Sequence, residues 1–337
     1  MVLVVNTGGR GIGLRTESDP AVFFRVENRT QYAVRGSRLA YWTTGPDDAL
    51  PHELHVYDAM TRADRAVYML TDERAGSAGF MVWSSDGEGL AIAVHNKESA
   101  YEGRLSPGAP TSSSWRLIDL ATGRARTIGT ISGAWLVPVS WDRSSGVATA
   151  TETGRDGPSA PVRRVYEFSG AANAMQELPL PAPLEPLSIV ADPGAQFALG
   201  IENTRCGALP CRVLWRWRLT NVRGASDRVT PALLLHAAFR PGSADVYVLL
   251  RTAGTGPAPF RIEDWGSQAS PVFARVVLSD APDWFFFRTD GGAMITLKSS
   301  LDDQRARVVD ANGATVSEFA YSVSDLPMAA LSADTRR

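Results

Sequence analysis

Pro51, His52, Glu53, Leu54 and His55 set two histidines and a carboxylate within a few positions of each other, the residue types of a zinc hydrolase. The helical zinc motif needs two residues between the glutamate and the second histidine, so that both imidazoles leave one helix face, and here only Leu54 intervenes. In a strand, positions three apart point to opposite faces, so His52 and His55 are not expected to share a metal. Ser77, in Ala75-Gly76-Ser77-Ala78-Gly79, is one glycine short of a nucleophile elbow, which also needs a strand-to-helix turn over a parallel sheet. Thr7-Gly8-Gly9-Arg10-Gly11-Ile12-Gly13 has the look of a dinucleotide loop, but Gly8 and Gly11 enclose two residues where that pattern needs three. The segment after it reads as turn and strand, not as the helix whose amides would hold a pyrophosphate. No cofactor and no metal are expected. His95 and His236 stand alone in apolar strands and read as packing or edge residues. The acids Asp47, Asp48, Glu98 and Asp156 read as solvated loop residues. Cys206 and Cys211, the two cysteines, are close enough for a small loop-closing disulfide in an oxidising compartment; the alternative is two free thiols.

The elements that must position these residues are strands. The chain has 337 residues, 44% of them apolar and 21% charged, with a net charge of −2. That composition is neither disordered nor membrane-spanning, and the charge balance argues against nucleic-acid binding. No apolar run approaches the roughly 18 residues of a membrane helix. A glycine precedes a short apolar strand at Gly36, Gly87, Gly146, Gly194, Gly242 and Gly291, at intervals of 51, 59, 48, 48 and 49 residues. A second marker, an acid ending a strand, runs in step: Asp58, Asp119, Glu167, Asp264 and Asp310. The fourth unit departs from it, with Trp215, Arg216, Trp217 and Arg218 in the acid's place. Each unit reads as four short strands separated by turns. The strand after the glycine is apolar on both faces, as in Leu90 to Val94 and Phe197 to Ile201, so its sheet is packed between two others.

Six such units, filling residues 30–322, predict an all-β fold: a six-bladed β-propeller of four-stranded antiparallel blades, with a seventh blade if the N-terminal strands form one. Two separate β-sandwiches, the alternative, leave the recurring marker unexplained. Residues 1–29 read as a β-hairpin and closing strand, and 323–337 as a frayed tail. Val82-Trp83-Ser84-Ser85-Asp86-Gly87 and Leu117-Ile118-Asp119-Leu120-Ala121-Thr122-Gly123 resemble the turns of TolB-like and WD-repeat-like bacterial propellers, including the propeller domains of prolyl-oligopeptidase relatives. The resemblance implies a blade and not a ligand. Those relatives keep their catalytic residues in a separate hydrolase domain, for which no room remains here.

Trp83 and Trp141 occupy equivalent places in successive units and read as packing residues. Turns after the first and third strands look short and regular. Connections after the second strand vary: Gly45 to Pro51, Asn96 to Ser113, Gly154 to Pro161, Thr204 to Pro210 and Ala253 to Pro259. In a propeller these connections share one face with the linkers between blades, and insertions confined to one class of loop mark a binding face. The expectation is a non-catalytic, monomeric scaffold at the cell envelope that binds a protein, peptide or glycan through Tyr101, Glu102, Arg104, Trp135 and Trp284. The alternative is a hydrolase or lyase whose site lies in the central funnel, which would have to gather ionisable groups such as His52, Asp156 and Asp283. Met1 to Thr7 lacks a basic start and a long apolar run. The expected compartment is therefore cytoplasmic, or periplasmic or extracellular if a leader has been removed.

Overall fold

The computed structural model describes residues 1–7, 11–26, 31–44, 52–71, 75–96, 110–153, 161–178, 180, 184–185, 190–191, 197–206, 209–218, 227–229, 234–243, 245–251, 260–265, 276–278, 284–300, 303–322 and 326–332. Among these there is no helix. Three strands open the chain: β1 (Val2–Asn6), β2 (Ile12–Thr16) and β3 (Phe24–Val26). Six four-stranded sheets follow in sequence order. The first holds β4 (Tyr32–Arg35), β5 (Arg38–Thr44), β6 (His52–Asp58) and β7 (Ala63–Leu70), and the second β8 (Ala75–Trp83), β9 (Gly89–Asn96), β10 (Ser112–Asp119) and β11 (Ala125–Ser132). The third holds β12 (Trp135–Asp142), β13 (Val147–Thr153), β14 (Val162–Ser169) and β15 (Ala174–Leu178), and the fourth β16 (Val190–Ala191), β17 (Phe197–Cys206), β18 (Leu209–Arg218) and β19 (Asp227–Val229). The fifth holds β20 (Leu234–Phe239), β21 (Val246–Arg251), β22 (Phe260–Asp264) and β23 (Val276–Leu278), and the sixth β24 (Trp284–Phe287), β25 (Met294–Ser300), β26 (Asp303–Val309) and β27 (Thr315–Ala320).

The six units read from the glycine marker are thus six antiparallel blades. A seventh four-stranded sheet comes from the two ends of the chain: β28 (Pro327–Leu331) pairs with β1, and β2 and β3 complete the order β28-β1-β2-β3. The segment 323–337, read as frayed, therefore contributes an ordered strand at 327–331. Its alanines and Leu331 are small enough to sit where the inner edges of the blades converge, which a reading by polarity overlooks. Ala330 and Leu331 are fully buried.

The marker glycines earn their place by conformation. Gly36, Gly87, Gly146, Gly242 and Gly291 all have positive φ, between 56° and 79°, at the turn from the first to the second strand of a blade. The acid marker caps the turn after the third strand: the Asp58, Asp119 and Asp310 carboxylates accept hydrogen bonds from the backbone N–H groups of Met60, Thr122 and Asn312.

Packing closes the ring. The second strand of each blade is apolar on both faces because each face meets a neighbouring sheet. In β9, for example, Leu90, Ile92 and Val94 pack toward the first blade and Ala91 and Ala93 toward the third. Seven apolar clusters occupy the seven spaces between sheets. In the last two, Val4, Leu14 and Leu331 meet Leu39 and Tyr57 of the first blade, and Leu3, Val5 and Ala330 meet Ile295 and Leu297 of the sixth. The innermost strands β4, β8, β12, β16, β20, β24 and β28 touch one another in a circle around a central channel.

Two sequence expectations about loops are corrected. Thr204 to Pro210 is not wholly a loop: β17 and β18 pair as far as Cys206 opposite Leu209, and residues 207–208 lie outside the described residues. The turns after the third strand are short in the first, second, third and sixth blades, but the fourth and fifth place residues 219–226 and 265–275 there.

Candidate functional site

The first-to-second-strand turns form a collar around one mouth of the channel, stitched from blade to blade. The Ser85 backbone N–H donates to Trp141 O at 2.7 Å, and the Ser85 hydroxyl to Asp142 Oδ1 at 2.8 Å. Arg240 Nε donates to Gly291 O at 3.1 Å. In the seventh sheet the first two strands, β28 and β1, come from opposite ends of the sequence, and there Thr289, whose hydroxyl donates to Gly36 O at 2.6 Å, and Ser332, whose N–H reaches the same carbonyl at 3.1 Å, make the link to the first blade. Burial raises the Asp142 carboxyl, but hydrogen bonds from Ser145, Ser144 and Ser85 outweigh it and hold the pKa down at about 2.

Behind this collar lies a cavity of about 930 Å³. Its described walls are largely apolar, with Met81, Trp83, Trp141, Phe239, Phe286 and Met328 among them, and the ionisable side chains among the described lining residues are the Tyr32 phenol, Arg35 and Arg38. Burial pushes Tyr32 up to about 12, so it is a neutral phenol at physiological pH. No carboxylate or histidine stands among the described lining residues. His52, offered by the sequence as a funnel group, is buried in β6, the third strand of its blade, and does not line the cavity. Asp156 and Asp283 lie outside the described residues. Among the described residues no group of three or more His, Cys, Asp or Glu side chains could hold a metal.

The arginine pair was not singled out from sequence. β4 and β5 are joined by the two-residue turn Gly36-Ser37, which makes Arg35 and Arg38 direct cross-strand partners. Arg35 donates to Ser85 O of the next blade, and Arg38 lies over the Trp83 ring at 4.8 Å from its centroid. Burial lowers the pKa of Arg35, and the positive charge of Arg38 lowers it further, against a raising effect from Asp86. Two arginines flanking a Gly-Ser turn were the available signal.

Of the contacts expected on the opposite face, Tyr101, Glu102 and Arg104 lie outside the described residues. Trp135 and Trp284 are the first residues of β12 and β24, so both stand at the end that carries the connections after the second strand. Trp284 is 36% exposed. Trp135 is half-buried, edge-on to His95 with ring centroids 4.6 Å apart. His95 shares a 2.8 Å hydrogen bond with the Ser113 hydroxyl, which itself donates to Ala134 O at 2.7 Å, a packed arrangement between blades. His236 is also a packing residue: burial, then the charge of Arg212, lower its pKa to about 4, against a hydrogen bond from the ring to the Phe285 backbone. Trp83 and Trp141 are buried at blade interfaces as expected. His55 instead sits among polar partners, 3.3 Å from both Glu53 and Asp64, and Asp64 accepts from the Tyr41 hydroxyl at 2.8 Å. Cys206 and Cys211 fall on the two strands of one hairpin in diagonal register, Cys211 facing Thr204.

No family model matches the sequence, and no curated protein matches it significantly. Solved structures do resemble the fold. An oligogalacturonate lyase in complex with manganese aligns at 14% identity over 90% of this chain and 83% of its own, with a TM-score of 0.56. The β-propeller domain of the Trilobed protease from Pyrococcus furiosus aligns at 13% identity over 84% of this chain and 82% of its own, with a TM-score of 0.52. TolB from Acinetobacter baumannii aligns at 11% identity over 78% of this chain, which spans 60% of that protein's length, with a TM-score of 0.47. What this chain shares with such proteins, among them a lyase and a protease domain, is the architecture of a β-propeller.

Proposed function

We propose that the chain is a non-catalytic β-propeller that scaffolds an interaction with a protein, peptide or glycan at the cell envelope. The observation that carries this reading is the character of the channel. Its described walls offer arginine and apolar groups, without the carboxylate or imidazole that general acid–base chemistry needs. The connections after the second strand support it, running from two residues at 207–208 to fifteen at 97–111. Tyr101, Glu102 and Arg104 belong to the longest of them, and Trp135 and Trp284 stand at the same end. The envelope location rests on the resemblance of the 82–87 and 117–123 turns to TolB-like propellers, and fractionation of the source cells tests it.

The reading is tested with a partner captured from the source organism and titrated against variants. The Tyr101→Ala, Arg104→Ala double variant is expected to bind at least tenfold more weakly, and unchanged affinity overturns the assignment. Trp284→Ala is expected to weaken binding at a smaller cost in melting temperature than a change at a fully buried tryptophan, because the residue is partly exposed. Trp135→Ala loses stability as well, since its ring packs on His95.

A further inference from the structure

We propose that the channel mouth ringed by the first-to-second-strand turns, the end opposite the variable connections, binds a small amphiphile with a carboxylate head and an apolar body. Two arginines stand there in the wall of the cavity. Arg35 and Arg38 face each other across the Gly36-Ser37 turn, like charges in a register that is ordinarily destabilising. Both guanidinium groups crowd one spot on the next blade: a Cβ added at Gly87 would lie 2.6 Å from Arg38 Nη2 and 2.7 Å from Arg35 Nε. Their protein partners are few. Arg35 donates to the Ser85 carbonyl, and Arg38 has the Trp83 ring face and Glu88 at 3.9 Å.

A carboxylate presented from the cavity complements two guanidinium groups whose own acidic neighbours, Asp86 and Glu88, lie outside the cavity lining. The rest of the ligand is dictated by the walls, where Trp141, Phe239, Phe286 and Met328 offer apolar and aromatic surface. The volume sets the size. A cavity of about 930 Å³ matches the roughly 300–1,000 Å³ that encloses a drug-sized molecule and favours such an occupant over a threaded chain.

Trp83 and Trp141 give a direct readout, tryptophan fluorescence of the whole chain. 1-Naphthoate is the probe, 1-naphthylmethanol its neutral counterpart, and an acetylated pentapeptide ending in a phenylalanine carboxylate the test of a chain terminus. The expected result is saturable quenching by naphthoate, at least tenfold tighter than naphthylmethanol and the peptide. Arg38→Gln should weaken it at least tenfold and Arg38→Lys less. Arg35→Gln acts in the same direction, and Arg38→Gln, which gives up a long ion pair and the contact over the Trp83 ring but leaves the Arg35–Ser85 hydrogen bond in place, keeps the test valid if the Arg35 variant unfolds. Absence of saturation, equal binding of acid and alcohol, tighter binding of the peptide, or indifference to Arg38→Gln in a folded variant overturns the proposal.

Discussion

Gly87 and Gly242 occupy the same turn position in two blades, both at φ +79°, yet their surroundings differ. Alanine at either must adopt a left-handed backbone, at about 1–2 kcal/mol. At Gly242 the new methyl meets nothing within 4 Å, whereas at Gly87 it runs into Arg35 and Arg38. Displacing the Arg35 hydrogen bond to Ser85 adds about 0.5–1.5 kcal/mol, so urea denaturation should show Gly87→Ala as the more destabilising of the two. Equal losses would mean that the guanidinium groups do not rest on Gly87. Asp142 gives a pH signature. Its folded pKa of about 2 lies below the ordinary 3.8, so the ionised carboxylate stabilises the fold above 3.8 and that contribution is lost as pH falls through about 2. Asp142→Asn should be less stable than the parent at neutral pH, with the gap narrowing between pH 4 and 2. A gap that stays constant over that window would remove the carboxylate from the collar's support.

Blades were legible in the sequence because each turn demands a residue with one physical property. Gly36, Gly87, Gly146, Gly242 and Gly291 are needed for positive φ, and Asp58, Asp119 and Asp310 for capping, so their spacing reports the repeat. The fourth unit lacked its acid, and in the structure it departs: β17 and β18 are ten-residue strands paired along their length. β28 was not legible, because an inner strand of proline, methionine, alanines and leucine carries no alternation, and its partner β1 lies at the far end of the chain. The Arg35–Arg38 pair was hidden for a different reason: arginines beside a turn are ordinary until the turn is known to face a channel. The closing sheet can be tested at Leu3, fully buried between β28 and the sixth blade. Leu3→Ala should cost about 2–5 kcal/mol, as a deep core position does, while Val316→Ala, at an exposed site on β27, should stay within about 0.5 kcal/mol. A small loss at Leu3 would mean that the ring does not depend on its terminal blade.

At the scale of the whole molecule, seven sheets share their apolar faces around a ring, and the two ends of that ring differ in character. One is a collar of short, hydrogen-bonded turns around an arginine-marked cavity. The other carries connections of widely varying length, with Trp135 and Trp284 at the roots of their blades. The described channel lining holds no paired acid and base. The most direct test is the mass of a captured partner after prolonged incubation with stoichiometric protein. The account predicts a partner recovered bound and chemically unchanged; a cleaved or eliminated product that accumulates with time would contradict it.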